Sequence, residues 1–248
     1  MVKYSNEKKL NNEFSFTVDG KYYSTLDIAG FSLMLKDPSY CYKFYWLEAI
    51  VKLISEGVEE NTFNDIIDEM ISNAWYSVKE FHIHLSGISF DNSVKDGLEK
   101  AIIKISEISN LSSMASKVEI KNAIKEHDKD LKSEKMQLTK NVPYRALAGF
   151  FNNTDEMCDW NRTNRLISYI EHINHDVVML PYTLGNSQGL KKEVYFNKPW
   201  IEMIQNHTVS ILGWIQYEKV KWLQKNNPEV PGLVYKLSPL NEGTRKLN

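Results

Sequence analysis

Residues 38–50 read PSYCYKFYWLEAI and place five aromatic side chains, Tyr40, Tyr42, Phe44, Tyr45 and Trp46, within seven positions. Between Tyr40 and Ile54 only Lys43, Glu48 and Lys52 are charged. That pattern describes a helix that is apolar almost all round and is therefore a core element, with Ser39 as its N-cap after Pro38. Aromatic platforms that stack single-stranded bases lie on open sheets or grooves, which does not fit a helix with so narrow a polar face. Phe44, Trp46, Leu47 and Ile50 are thus assigned to the interior, and Tyr42 and Lys43 to the surface.

Working outward from this run, helical periodicity dominates the first half of the chain. In NTFNDIIDEMISNAWYSVKEF, Phe63, Ile66, Ile67, Met70, Ile71, Ala74, Trp75 and Val78 recur at three-to-four spacing, with Thr62 as N-cap and Asp65 in the first turn. DNSVKDGLEKAIIKISEIS repeats the pattern through Val94, Leu98, Ile102 and Ile105 behind an Asp91 or Asn92 cap. Ser116-Lys117-Val118-Glu119 spells a capping box, and the helix it opens continues through IKNAIKEHDKDLKSEK with a polar outer face.

Between residues 143 and 189 prolines and glycines accumulate, and two β-prone runs, Val177 to Leu180 and Glu193 to Phe196, flank a Gly/Asn-rich loop. A small hairpin is expected within 177–196. Helix resumes at Pro199 and ends before Pro228 and Pro231. The expected fold is mainly α: a single multi-helix domain over residues 1–248, with residues 1–30 as a partly ordered N-terminal arm.

Composition limits the function classes. The 248 residues carry 30 Lys and Arg against 32 Asp and Glu, so no global basic field marks a polyanionic partner. The imbalance is local: residues 191–248 hold nine basic and five acidic side chains, leaving the remainder acidic. Two cysteines, Cys41 and Cys158, cannot build a disulfide framework. No stretch has the apolar length of a membrane span, so the expectation is a cytoplasmic protein without a membrane partner.

Motifs with chemistry are few. Glu171, His172, His175 and Asp176 in EHINHD put two histidines three apart, with Cys158 as the nearest thiol, but a stable site needs further ligands, and no resident metal is expected. His82 and His84 form a weaker pair. Glu119-Ile120-Lys121 matches the acid-x-lysine of one nuclease class, yet on a helix these two side chains face apart. No phosphate-cradling glycine loop and no nucleophile elbow occurs. No catalytic residue is assigned.

Several segments taken together carry more information: SYCYKFYWLEAIVKLI, VPYRALAGFF, RLISYI, the run from VYFNKPW to PEVPGLVYKL, and TRKLN. This combination resembles the N-terminal helical region of a bacterial HNH endonuclease family. The resemblance runs from about Phe31 to the end of the sequence and rests on aromatic spacing and proline placement. It implies a region that positions double-stranded DNA while a nuclease module cuts it. Such a module needs a histidine general base and His, Asp or Asn ligands for a divalent metal, Mg²⁺ by expectation. Within 1–248 no such string occurs: either these residues are a fragment, with the module expected beyond Asn248, or they are a degenerate or stand-alone relative, and in both cases they should not hydrolyse phosphodiesters alone.

The nucleic-acid-binding candidates are cations beside aromatics or on the last long helix: Lys43, Tyr144 with Arg145, Trp160 with Arg162 and Arg165, and Lys219 and Lys221. A guanidinium supported by a ring can hold phosphate through its planar fork. The bland alternative for the arginines is pairing with Asp155 or Asp159. At the level of the whole chain the rivals are a helical protein-interaction or regulatory domain and, last, a metalloenzyme built on His172 and His175.

Overall fold

A computed structural model of the chain describes residues 16–36, 38, 41–86, 96–151, 163–173 and 179–238. The architecture is mainly helical with a small antiparallel sheet. The aromatic run forms α2 (Tyr42–Ser55), whose Phe44, Tyr45, Trp46, Leu47, Ala49, Ile50 and Val51 are all buried. Only a helix enclosed on nearly every side can be so apolar, and α2 is packed between α9 (Lys198–Asn226) and α3 (Phe63–Phe81). Ser39 lies outside the described residues; the position preceding α2 is Cys41, which makes no side-chain cap.

The capping signals are realised in detail. Thr62 Oγ1 accepts from the Asp65 amide and the Asp65 carboxylate accepts from the Thr62 amide, closing a capping box at the start of α3. Ser116 and Glu119 do the same for α5 (Lys117–Glu126). The helix expected to run on from there is broken instead. His127 takes φ −104° and ψ 22°, and α6 (Asp128–Thr139) begins a new direction. α4 (Gly97–Ile108) is capped by Asp96, whose carboxylate accepts from the amides of Leu98 and Glu99, while Asp91 and Asn92 lie outside the described residues.

The expected hairpin is part of a larger sheet with shifted bounds. Val177 and Val178 of the anticipated strand lie outside the described residues; β2 (Tyr182–Leu184) pairs with β3 (Glu193–Phe196) antiparallel, Thr183 opposite Tyr195. β3 also pairs with β1 (Glu60–Thr62), giving the order β1-β3-β2. The sheet covers the top of α2: Tyr182 is fully buried, and its hydroxyl accepts from Trp46 Nε1 at 3.1 Å while donating to the Pro143 carbonyl.

Pro143 belongs to α7 (Val142–Arg145), which continues into a 3₁₀ turn, Ala146–Phe150, and packs on α8 (Thr163–His172). Of the expected partly ordered arm over 1–30, residues 1–15 lie outside the described residues; beyond them Phe16, Tyr22, Leu26 and Ile28 are buried, and α1 (Ile28–Leu33) lies against the 146–150 turn. α9 is kinked at His207, where φ −124° and ψ 20° leave the helical region and Thr208 Oγ1 donates to the carbonyl of Ile204 at 2.8 Å. The Asp19 amide donates to His207 Nε2, so the N-terminal segment is fastened at the bend. α10 (Leu233–Lys236) closes the described chain, and one core cluster extends from Phe16 to Leu237.

Candidate functional site

The cations singled out in the sequence end up in different environments. Tyr144 is buried, meets Phe63 edge-on at 6.2 Å, and burial pushes its phenol up to about 12. It therefore supports the core rather than a guanidinium plane. Arg145 beside it is half-buried and Arg165 is exposed on the adjoining α8; Trp160 and Arg162 lie outside the described residues. Lys43 is half-buried on α2 and Lys221 exposed on α9. Each of Lys43, Arg145, Arg165 and Lys221 already engages a neighbour.

Lys219 requires a correction. Position 219 faces α2, and its side chain is 3% exposed, with Nζ 2.7 Å from Glu48 Oε2 and 4.5 Å from the centre of the Tyr45 ring. Lys52 binds the other Glu48 oxygen at 2.9 Å. Burial would raise the Glu48 carboxyl, but the two ammonium groups outweigh it and hold the group below its ordinary range. Lys219 is an interior ion-pair partner and cannot reach a phosphate in this arrangement. The reason is the tight α2/α9 packing, which turns every third or fourth residue of α9 inward whatever its charge.

A different set of cations converges elsewhere. The start of α3, one face of α6 and a 3₁₀ turn at Gly189–Lys191 surround a cleft of about 720 Å³. Lys129, Lys132 and Met136 line it from α6, Thr62 from the end of β1, Asn64 from α3, and Gln188 to Lys191 from the turn. The spacing 129, 132, 136 is one helical face, so α6 delivers two ammonium groups and a thioether to the same wall. Gly189 sits at φ +61°, where a Cβ would lie 3.3 Å from Met136 Sδ, and this permits the turn to close on α6. Lys129, Lys132 and Lys191 are all exposed.

Beneath the cleft lies a buried ion cluster that fixes its floor. Lys135 is fully buried, and its Nζ is 2.7 Å from Asp68 Oδ1 and 2.7 Å from Asp128 Oδ1. Burial pushes Asp68 up to about 6 despite that ammonium. Lys135 is shared between Asp68 and Asp128, so it does not cancel both carboxylates, but Lys129, Lys132 and Lys191 outnumber Asp128, the one acidic residue of the cleft lining. The first turns of α3 and α6 both open here, although the Asp65 amide is already taken by Thr62 and the two turns carry Asp65, Asp128 and Asp130. Anions are what such a wall attracts.

The histidine motifs are engaged in structure. His172 Nδ1 lies 2.7 Å from the Ser168 carbonyl, Glu171 pairs with Lys192 at 2.7 Å, and His175, Asp176 and Cys158 lie outside the described residues. His84 Nδ1 lies 2.8 Å from Glu99. Among the described residues no group of three or more His, Cys, Asp or Glu side chains could hold a metal ion, and no helix is long and apolar enough to cross a membrane.

The lysine cleft was missed in the sequence because its parts are distant along the chain and α6 reads there only as a solvated face. The signal present was the 129/132/136 spacing. No family model, no curated protein and no solved structure matches this chain.

Proposed function

We propose that this chain is a nucleic-acid-positioning module, the helical N-terminal region of an HNH-type endonuclease, and that it holds the phosphate backbone of double-stranded DNA at the α3/α6 cleft. The observation that carries this reading is the convergence of Lys129, Lys132 and Lys191, exposed and without an ion-pair partner among the described residues, at the first turns of two helices. Phosphate contacts of this kind set register and orientation and carry no sequence information, which is what a positioning region needs. Hydrolysis, with its divalent metal and histidine base, belongs in this reading to a nuclease module outside residues 1–248. Arg165, exposed on α8, is the sequence-derived candidate that extends the contact surface.

A second reading, a helical protein-interaction domain, draws on the outer face of α9, where Val209 is 87% and Tyr217 41% exposed. One titration separates the two. Duplex DNA is titrated by fluorescence anisotropy across a salt series, with wild type and with a Lys129→Ala, Lys132→Ala, Lys191→Ala variant. The positioning reading expects weak binding with a steep salt slope that falls by about one unit for each phosphate-contacting lysine removed. Absence of wild-type binding at low salt would favour the interaction domain.

A further inference from the structure

The ion cluster under the cleft sets two carboxylates against one ammonium. Lys135 Nζ lies 2.7 Å from an oxygen of each, but its hydrogen bond is aimed at Asp128, and Asp68 Oδ1 is buried without one. The other Asp68 oxygen has the Asn64 amide at 3.4 Å. The Asp128 side chain is 50% exposed, so solvent supports its charge, whereas that of Asp68 is 10% exposed. Asp68 is therefore the member of the set that takes a proton first. Burial pushes it up to about 6 against the pull of Lys135, with Asp128 and Asp65 adding to the rise.

We infer that this cluster is a proton-operated switch for the anion affinity of the cleft above it. With Asp68 charged, the three groups carry a net negative charge beneath Lys129, Lys132 and Lys191. With Asp68 protonated, Lys135 is left to neutralise Asp128 alone, and the lysines act on an anion unopposed. Anion affinity therefore rises as pH falls through the range in which Asp68 takes its proton, and a bound anion in turn holds that proton to higher pH. The other charges brought to α3 are paired away from Asp68: Lys104 of α4 with Glu134, Lys117 and Lys121 of α5 with Glu69, and Lys52 of α2 with Glu48. Glu60 of β1 lines a separate recess with Asp65. The switch rests on the phosphate-binding reading above and adds to it the regulation of the same site.

The test titrates the whole chain with duplex DNA by fluorescence anisotropy at constant low salt, from about pH 5 to about pH 7.5, where phosphodiesters keep their charge. Sulfate, followed at the Met136 methyl resonance, serves as a second anion that does not titrate there. Wild type should bind both about fourfold tighter at the acid end, the effect of one unit charge removed near a surface site, with a midpoint near about 6. Asp68→Asn should hold the acid-end affinity at every pH. His127, 3.2 Å from Asp130 at the start of α6, is of the residue type that also gains charge in this range, and His127→Gln should keep the wild-type profile. A pH profile retained in Asp68→Asn, or lost in His127→Gln, would overturn the switch. If Asp68→Asn does not fold, the Asp68 carboxyl-carbon resonance of labelled wild type decides: its midpoint should move to higher pH when either anion is bound, and an unmoved midpoint would overturn the proposal. Duplex binding that is flat with pH overturns the switch and leaves the positioning reading standing. Sulfate binding with the expected pH dependence, without duplex binding, supports the switch and removes the DNA reading. Absence of both kinds of binding at every pH removes both.

Discussion

Lys219 and Lys132 carry the same side chain to opposite ends of the protein's electrostatics. Lys219, on the α9 face turned to α2, is buried against Glu48 and Tyr45; Lys132, on the α6 face turned to the cleft, is exposed and has no acidic partner among the described residues. The first ammonium is interior architecture, because a buried charge is tolerated only with its partner in place. The second is available to a ligand. What distinguishes them is the helix each rides on: α9 packs along its length on the most apolar helix of the chain, whereas α6 covers the core with one stripe and leaves the next one open.

The comparison can be broken first at the interior end. Trp46→Ala removes a fully buried ring and leaves the Tyr182 hydroxyl without its indole donor, so unfolding in urea should show a loss of about 3 to 5 kcal/mol. Lys219→Ala strands Glu48 with Lys52 alone, and a loss of about 3 kcal/mol is expected, with DNA affinity unchanged once the variant is folded. A Lys219→Ala protein that is as stable as wild type but binds DNA more weakly would reverse the assignment of the two lysines.

A smaller effect concerns Asp96, the α4 cap. It is 2% exposed with Oδ2 unpaired, and burial pushes it to about 6. A carboxyl raised in the folded state binds its proton more tightly there than in the unfolded chain. Its contribution is therefore favourable at low pH and is lost as pH rises through about 6. Asn caps a helix as well as Asp. Asp96→Asn should consequently gain about 1 to 3 kcal/mol relative to wild type between pH 4 and pH 7, read from urea midpoints at the two values. A constant difference across that range would show that Asp96 does not titrate there. The least effect on stability belongs to the cleft: replacing Lys129, Lys132 and Lys191 together with alanine should change the unfolding free energy by no more than about 0.5 kcal/mol.

How much of this was legible beforehand follows the range of the forces involved. Local signals were read correctly: the Thr62/Asp65 and Ser116/Glu119 boxes and the interior aromatic run depend on residues within a few positions of one another. β1 was not seen, because Glu60-Asn61-Thr62 has no strand pattern of its own and is extended only through pairing with β3, over a hundred residues later. The break at His127 was hidden because the sequence around it carries no glycine or proline, while α6 packs on α4. Cations were sought beside aromatics and on the last long helix, which brought in Tyr144 and Lys219, two residues that the core had already claimed. The cleft needs Asn64, Lys132 and Lys191 together, a juxtaposition that no spacing rule contains.

The central claim, that nucleic acid seats in the α3/α6 cleft, is tested most directly by the methyl resonance of Met136 in methionine-methyl-labelled protein, assigned through Met136→Leu. Met136 lines the cleft, while Met34, Met70 and Met203 are buried in the core and serve as internal references. On addition of a short DNA duplex at low salt, the Met136 signal should shift saturably, return on raising the salt, and stay still in the Lys129, Lys132, Lys191 variant, with the three core methyls unmoved. A Met136 signal that does not move at DNA concentrations where anisotropy shows saturation would place the bound strand elsewhere and contradict the account.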